Sequence, residues 1–252
     1  MTANRPLLAL RGVAKRFGAV QALGGVDFDV HAGEVIGLVG DNGAGKSTLV
    51  KTISGIYEPD EGQFFFDGEP VVIRGPNDAA ELGIATVYQD LALCDNLDVV
   101  ANLFLGNELV AAGAAGLSIP SVRAEVGTMS GGQRQQVAVA RSLLGDPKVV
   151  LLDEPTAALG VAQTAQVLDL IRRLRERGLG VVVISHNLAA VFEVTDRIVV
   201  LRLGRPAGDF DVRGTTQEEV VAAITGAQYG RREDGEGARA HDGGRAAGGG
   251  SR

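Results

Sequence analysis

Residues 40–48, with the sequence GDNGAGKST, place three glycines, one lysine and two adjacent hydroxyl side chains within nine positions. The segment matches the pattern G-x-x-x-x-G-K-[ST], in which glycines let several backbone N–H groups point at one anion. A following helix would add its N-terminal dipole. Lys46 would place a cation among the β- and γ-phosphates, and the Ser47 hydroxyl can ligate Mg²⁺. The segment therefore predicts a binding site for a nucleoside triphosphate, formed by Gly40, Asp41, Asn42, Gly43, Ala44, Gly45, Lys46, Ser47 and Thr48.

Two carboxylates end an apolar run later in the chain, in the sequence VVLLDE of residues 149–154. A buried strand here would deliver Asp153 to the carboxyl edge of a sheet, where the glycine loop also lies. Asp153 can then bind Mg²⁺ directly or through water. Because side chains alternate along a strand, Glu154 points differently and is suited to orient and deprotonate an attacking water.

Gln89 and His186 end two further apolar runs, residues 83–89 and 180–186. A histidine at the same sheet edge can donate a hydrogen bond to the γ-phosphate. Gln89 can contact Mg²⁺ or the attacking water. Taken alone, Gln89 is equally well explained as a polar residue that starts a loop, and His186 as a histidine at a strand end that faces solvent.

A second candidate anion site follows Met129 in the sequence SGGQ. Ser130 is a suitable N-cap, and two glycines follow where a helix begins. The exposed N–H groups and the hydroxyl at this helix start suit a phosphate. One triphosphate needs only one such site, so the second indicates a nucleotide held by another copy of the chain. The residues assigned to it are Ser130, Gly131, Gly132 and Gln133.

The elements that must position these residues alternate along the chain. Apolar runs predict strands over residues 34–40, 83–89, 148–154, 180–186 and 196–204, with helices over 46–55, 97–105 and 161–177 and a further helix from the SGGQ segment to Gly145. Such alternation is typical of a mostly parallel sheet covered by helices on both faces, an α/β fold. The N-terminal part is instead β-rich, with a bulge expected at Gly24-Gly25 and a hairpin turn at Asp67-Gly68.

Composition limits the function further. The chain has 252 residues and is 45% hydrophobic, which suits one domain with a substantial core. Its net charge of −7 argues against nucleic-acid binding by bulk electrostatics. Cys94 is the single cysteine, which excludes an internal disulfide and fits a reducing compartment. No apolar run is long enough to span a membrane, and we expect no signal peptide.

The composition changes near Ala227. Residues 227–252 are rich in glycine and arginine and contain one large apolar residue, Tyr229. A segment of this kind buries too little surface to offset its ordering entropy, so we predict a disordered tail.

Together these motifs resemble the ATP-binding cassette (ABC) ATPases of transporters. The resemblance rests on GDNGAGKST, Gln89, SGGQ, LLDEP and His186, in that order, and covers about residues 7–226. Phe17 precedes Lys46 by 29 positions (46 − 17), where the family has an aromatic residue that stacks on adenine. The segments YQDLAL, DEPTAALGV and VVVISHNL look most like the ATPase subunits of bacterial sugar importers.

The resemblance implies a P-loop ATPase domain over residues 5–226 and a head-to-tail dimer that holds two ATP molecules between the chains. It implies ATP with Mg²⁺ as ligands, a membrane permease and a sugar-binding protein as partners, and a peripheral location on the cytoplasmic face of the membrane. The catalytic residues would be Glu154, His186, Gln89 and Lys46. The metal ligands would be Ser47, Gln89 and Asp153.

The sequence departs from the family in two places. The interval between Gln89 and Ser130 is shorter than usual, so residues 90–128 predict a shortened helical subdomain with a weak, glycine-dotted stretch at 111–117. Gly160 stands where the general pattern has an aspartate. The short interval leaves open a degenerate paralogue that binds ATP without coupling. The same motifs also occur in soluble ABC-type ATPases without a transport role, and a third alternative is a regulatory module that does not hydrolyse ATP.

Overall fold

The computed structural model describes residues 5–104 and 123–227. The strands are β1 (Leu8–Phe17), β2 (Val20–Val30), β3 (Val35–Val39), β4 (Glu61–Phe66), β5 (Glu69–Val71), β6 (Ile84–Val87), β7 (Val149–Asp153), β8 (Gly180–Ile184), β9 (Arg197–Arg202) and β10 (Arg205–Asp211). The helices are α1 (Lys46–Ile53), α2 (Pro76–Glu81), α3 (Val99–Phe104), α4 (Gly131–Leu143), α5 (Val161–Glu176), α6 (Leu188–Val194) and α7 (Gln217–Thr225). Short 3-10 turns lie at Val126–Thr128 and Val212–Gly214. The glycine-dotted stretch at 111–117 and the tail after Ala227 lie outside the described residues.

The main sheet has the strand order β10-β9-β3-β8-β7-β6, and all neighbours are parallel except the edge strand β10. In the register of this sheet, Ile184 of β8 pairs with Leu38 of β3 on one side and with Asp153 of β7 on the other. The carboxyl ends of these three strands therefore lie side by side. The predicted α/β fold with a mostly parallel sheet is confirmed.

Strand β7 shows why the central runs are apolar throughout. Val149 and Leu151 pack in one apolar cluster, which also contains residues of α1 and of the N-terminal strands. Val150 and Leu152 pack in a second cluster, which contains the apolar residues of α5. Both faces of the strand are thus removed from water, and neither can carry a polar residue before Asp153.

The N-terminal strands form a separate antiparallel sheet in the order β2-β1-β4-β5. Its pairing steps from Val13–Val26 to Ala14–Gly24, so Gly25 is the extra residue of a bulge, with φ of 82°. The β4–β5 turn has positive φ at Asp67 and Gly68, as in a two-residue hairpin. The antiparallel subdomain, the bulge and the hairpin are confirmed.

The structure corrects the ends of two predicted strands. Strand β6 ends at Val87 and β8 at Ile184, so Gln89 and His186 lie in loops two residues beyond the strands.

The helices α2 and α7 and the strand β10 were not predicted. Of these, α7 had a readable signal, because Thr216 and Glu219 form a capping box at its start.

Helices α3 and α4 pack together beside the main sheet. Val99 and Leu103 of α3 meet Val126 and Val137 in a small buried cluster. These described parts of residues 90–128 are attached to α4, the helix that begins at the SGGQ segment.

We expect Leu151→Ala to lower the free energy of unfolding by about 2–5 kcal/mol, because the Leu151 side chain is fully buried in a packed sheet. Urea denaturation would measure the change. Val161→Ala is the matched control, because Val161 is 91% exposed, and its effect should be within about 0.5 kcal/mol. Equal losses in the two variants would contradict the assigned core.

Candidate nucleotide-binding site

At two positions of the glycine loop between β3 and α1, the backbone adopts a conformation that only glycine fits. Gly40 and Gly45 have φ of 154° and 104°. A Cβ at Gly40 would lie 2.3 Å from the carbonyl oxygen of Leu201, and one at Gly45 would lie 2.7 Å from that of Ala22. The close approach of neighbouring backbone therefore fixes these glycines, and the loop leads directly into the first turn of α1, whose N–H groups have no acceptors within the helix.

Lys46 lies folded against this loop. Its Nζ donates hydrogen bonds to the carbonyl oxygens of Gly40 at 2.7 Å and of Asp41 at 2.9 Å. Burial lowers the pKa of Lys46, and the nearby carboxylates of Glu154, Asp41 and Asp153 oppose that shift. The ammonium group is thus held at the loop by weak carbonyl acceptors, which phosphate oxygens can replace with stronger charge-assisted bonds.

Asp153 is the last residue of β7 and is half-buried. Burial raises the pKa of Asp153, and the charge of Glu154 raises it further, while Lys51 and Lys46 act in the opposite direction. A carboxylate in such surroundings gains from a bound cation. Ser47, on the first turn of α1, supplies a hydroxyl, so the donor set fits the hard oxygen ligands that Mg²⁺ prefers.

Within residues 5–104 and 123–227, no three His, Cys, Asp or Glu side chains are grouped closely enough to hold a metal ion. A Mg²⁺ ion at Ser47 and Asp153 would therefore need further oxygens from the nucleotide and from water.

Glu154 follows β7 with a left-handed backbone, φ 49°, and its N–H donates to the carbonyl oxygen of Ile184 at 2.9 Å. Its Oε1 lies 2.9 Å from Nδ1 of His186, and Ser185 Oγ donates to its Oε2 at 3.4 Å. The Glu154 side chain is 15% exposed and that of His186 is 74% exposed. The structure therefore brings the two residues together, with the histidine on the solvent side. Sequence reasoning missed Ser185, although it is the polar residue that directly follows β8.

Gln89 lines a cavity of about 370 Å³ together with Glu154 and the start of α4 at Gly131. Leu159 and Arg134 also line this cavity. The structure thus places Gln89 and Glu154 on one cavity, as their predicted roles require. The same cavity reaches the first residue of the SGGQ helix.

Ser130 caps α4, as predicted. Its Oγ accepts a hydrogen bond from Gln133 N at 3.3 Å, and Gln133 Oε1 accepts one from Ser130 N at 3.0 Å. The two glycines that follow also have a packing role. A Cβ at Gly131 would lie 2.7 Å from Leu159 Cδ2, and one at Gly132 would lie 3.2 Å from Gln163 Cβ. These glycines therefore let α4 lie close to the start of α5.

Phe17 lies at the end of β1 and is 42% exposed. Its ring meets that of Tyr57 edge to face, with centroids 5.0 Å apart, and Lys15 Nζ lies 5.7 Å from its centroid. Tyr57 was missed at the sequence level, because nothing in its own neighbourhood signals a contact with residue 17. The exposed ring of Phe17, with the partly buried ring of Tyr57 beside it, offers an aromatic surface for a planar base.

The parallel sheet and the glycine loop between β3 and α1 define a P-loop nucleotide-binding domain. Residues 23–157 match the family model for the ABC transporter. The chain is 44% identical to the fructose import ATP-binding protein of Rhizobium meliloti, over 92% of this chain and 98% of that protein. It is 44% identical to the xylose/arabinose import ATP-binding protein of Sulfolobus acidocaldarius, over 91% of this chain and 98% of that protein.

Among solved structures, the chain resembles a dimeric ATP-binding cassette in a post-hydrolysis state bound to ADP and Pi. The identity is 26%, the TM-score is 0.69, and the match covers 82% of this chain and 100% of that chain. The chain therefore belongs to the ABC transporter family, as one of its ATP-binding cassettes. It is an ATPase that binds ATP, and the family resemblance inferred from the motifs is confirmed.

None of the helices in the described part of the chain has the length and apolar character that a membrane span requires.

We expect Asp153→Asn to raise the melting temperature of the nucleotide-free protein at pH 7. The pKa of Asp153 is raised in the folded state, so its contribution to stability is fully present below the ordinary aspartate pKa of about 3.9 and is lost as pH rises through the folded value. The advantage of the variant should therefore shrink as the pH falls toward 4. Thermal unfolding across this pH range would measure it.

Asp169→Asn is the control, because Asp169 is exposed and pairs with Arg173 on the same helix. It should give no comparable gain. A lower melting temperature for Asp153→Asn at pH 7 would contradict the assigned electrostatics.

Proposed function

We propose that the chain is the ATP-hydrolysing subunit of an importer for a monosaccharide and that it drives a separate membrane permease. The observation that carries the catalytic part is the Glu154–His186 pair, which lies beside the glycine loop where β7 and β8 end. The sugar and the direction of transport rest on the two relatives, whose names describe sugar import.

The described geometry supports these catalytic roles. Lys46 and the N–H groups of residues 40–48 bind the phosphates. Glu154 accepts the proton of the water that attacks the γ-phosphorus, the bond to the β-phosphate oxygen breaks, and ADP and phosphate leave. His186, held by Glu154, donates a hydrogen bond to a γ-phosphate oxygen, while Gln89 orients the attacking water. Phosphoryl transfer needs mainly such positioning and charge stabilisation.

Mg²⁺ would be held by Ser47, Gln89 and Asp153, and when bound it would neutralise charge on the β- and γ-phosphates. The raised pKa of Asp153 supports this assignment, because the charges of Lys51 and Lys46 do not offset its burial and the neighbouring charge of Glu154. Phe17, with Tyr57 beside it, would stack on adenine.

The second candidate phosphate site, Ser130, Gly131, Gly132 and Gln133, serves the nucleotide of a partner subunit. Two chains, either two copies or this chain and a homologous ATPase, pair head to tail with two ATP molecules between them. ATP binding closes the pair, and hydrolysis with product release opens it. The likeness to a dimeric cassette supports this arrangement.

The permease, and indirectly a sugar-binding protein, are the proposed partners, and nucleic acid is not. The subunit would sit on the cytoplasmic face of the membrane as a peripheral protein. We retain residues 5–226 as the ATPase domain, with 90–128 as the shortened helical subdomain. That short interval favours one alternative, a paralogue that binds ATP without coupling to a permease.

We expect Glu154→Gln to keep ATP binding and abolish turnover, because glutamine keeps the shape of the side chain but cannot accept the proton. The variant should accumulate as a dimer when saturated with ATP. Phosphate release, nucleotide binding and size-exclusion chromatography would measure the three effects. Lys46→Ala is the control, because loss of the phosphate-binding cation should weaken ATP binding and leave a monomer. Normal hydrolysis by Glu154→Gln would remove Glu154 from the base role.

We expect the chain to co-purify with the permease encoded beside it and to hydrolyse ATP faster in that complex when the sugar-binding protein and its sugar are added. Co-expression followed by an ATPase assay in detergent or lipid nanodiscs would test this expectation. Failure to co-purify, with ATPase activity intact in the isolated chain, would favour the uncoupled paralogue over the importer subunit.

A further inference from the structure

The loop that follows Gln89 contains a strained turn. Ala92 has a left-handed backbone, φ 47°, which is unfavourable for a residue with a side chain. The carboxylate of Asp90 accepts a hydrogen bond from Ala92 N at 3.2 Å, which closes the turn locally. A strained turn of this kind persists only where surrounding groups hold it.

Arg141 of α4 holds this turn from outside. Its Nη2 donates to the carbonyl oxygen of Leu91 at 2.9 Å, and its Nη1 donates to that of Ala92 at 2.8 Å. The planar guanidinium thus bonds two successive carbonyls at once, which fixes their relative orientation as a single donor could not.

The rest of the segment is held by other groups. Asn102, fully buried on α3, bonds both N–H and C=O of Cys94 and also the carbonyls of Leu97 and Asp98. Arg134 pairs with Asp95 at 2.8 Å. These contacts fix residues 94–98. In the described part of the chain, the side chain that donates to the carbonyls of residues 91 and 92 is that of Arg141.

Gln89 depends on its backbone for its position. It is exposed, and its side chain makes no hydrogen bond to any described residue. Because no side-chain bond orients it, the direction in which its Cα–Cβ bond points at the cavity shared with Glu154 depends on the backbone of the turn that begins at Asp90. Loosening that turn would spread Gln89 over many orientations, and it would also move Asp90, Leu91 and Ala92, which line the same cavity.

We propose that Arg141 is a positioning residue for ATP hydrolysis, which acts by holding the carbonyls of Leu91 and Ala92 so that Gln89 faces the reacting phosphate. The proposal rests on the role assigned to Gln89 under the proposed function. It also gives α4 a second role. The helix begins at the SGGQ segment, and near its end it holds the turn that begins at Asp90.

The test compares Arg141→Gln and Arg141→Lys with Arg173→Gln, an exposed arginine on α5 whose partner Asp169 lies on the same helix. We expect Arg141→Gln to lower kcat by about tenfold while the Kd for ATP changes by less than about twofold. Arg141→Lys keeps the charge but not the paired donors, so its kcat should lie between that of the wild type and that of Arg141→Gln. It also supplies the measurement if Arg141→Gln does not fold. Arg173→Gln should retain the wild-type kcat.

A double-mutant cycle with Gln89→Ala separates positioning from general stabilisation. If Arg141 acts through Gln89, the double variant should have the same kcat as Gln89→Ala alone. Hydrogen–deuterium exchange should also rise in peptides that contain residues 89–93 of Arg141→Gln and stay unchanged in Arg173→Gln.

The proposal would be overturned if the fold losses in kcat of the two single variants multiplied in the double variant. It would also be overturned if the kcat of Arg141→Gln were within about twofold of the wild-type value. Either result would leave the ATPase function standing. Wild-type turnover of Gln89→Ala would instead overturn the role of Gln89, and the proposal for Arg141 would fall with it. The two failures are therefore distinguishable.

Discussion

Lys46, Asp153 and Glu154 lie together because the parallel strands β3 and β7 end at one edge of the sheet, and burial there is unfavourable for the charges of Lys46 and Asp153. The pKa of Lys46 is lowered and that of Asp153 is raised, both chiefly by removal from water. The groups partly compensate one another, but the compensation is incomplete. A triphosphate with its cation would supply the missing opposite charges, so the same desolvation that opposes folding favours the ligand.

Helix α4 contributes to two parts of the candidate site. Its first turn is fixed by the Ser130–Gln133 capping box and by close packing on Leu159. Near its end, Arg141 holds the loop that follows Gln89. The same helix therefore contacts the candidate site at both of its ends.

Much of the main sheet and of the candidate site was predictable from the sequence, since apolar runs, glycine patterns and capping residues are local signals. The predicted strands and helices agree with the structure to within a few residues, and the turn at Asp67-Gly68 was identified from its residue types alone. The ends of β6 and β8 were placed too late, because an apolar run does not show where pairing with a neighbouring strand stops. Strand β10 was missed for a related reason, since its burial is slight and its strand character comes from pairing with β9.

The sequence by itself determined the family, the glycine loop and the residue types available for hydrolysis, because these depend on short segments whose chemistry is local. Only the tertiary structure decided which distant residues meet. The hydrogen-bonded pair of Glu154 and His186, the aromatic pair of Phe17 and Tyr57, and the bonds from Arg141 to the Gln89 turn each join segments far apart in the chain. Such contacts follow from how strands and helices pack, and no local pattern encodes that packing.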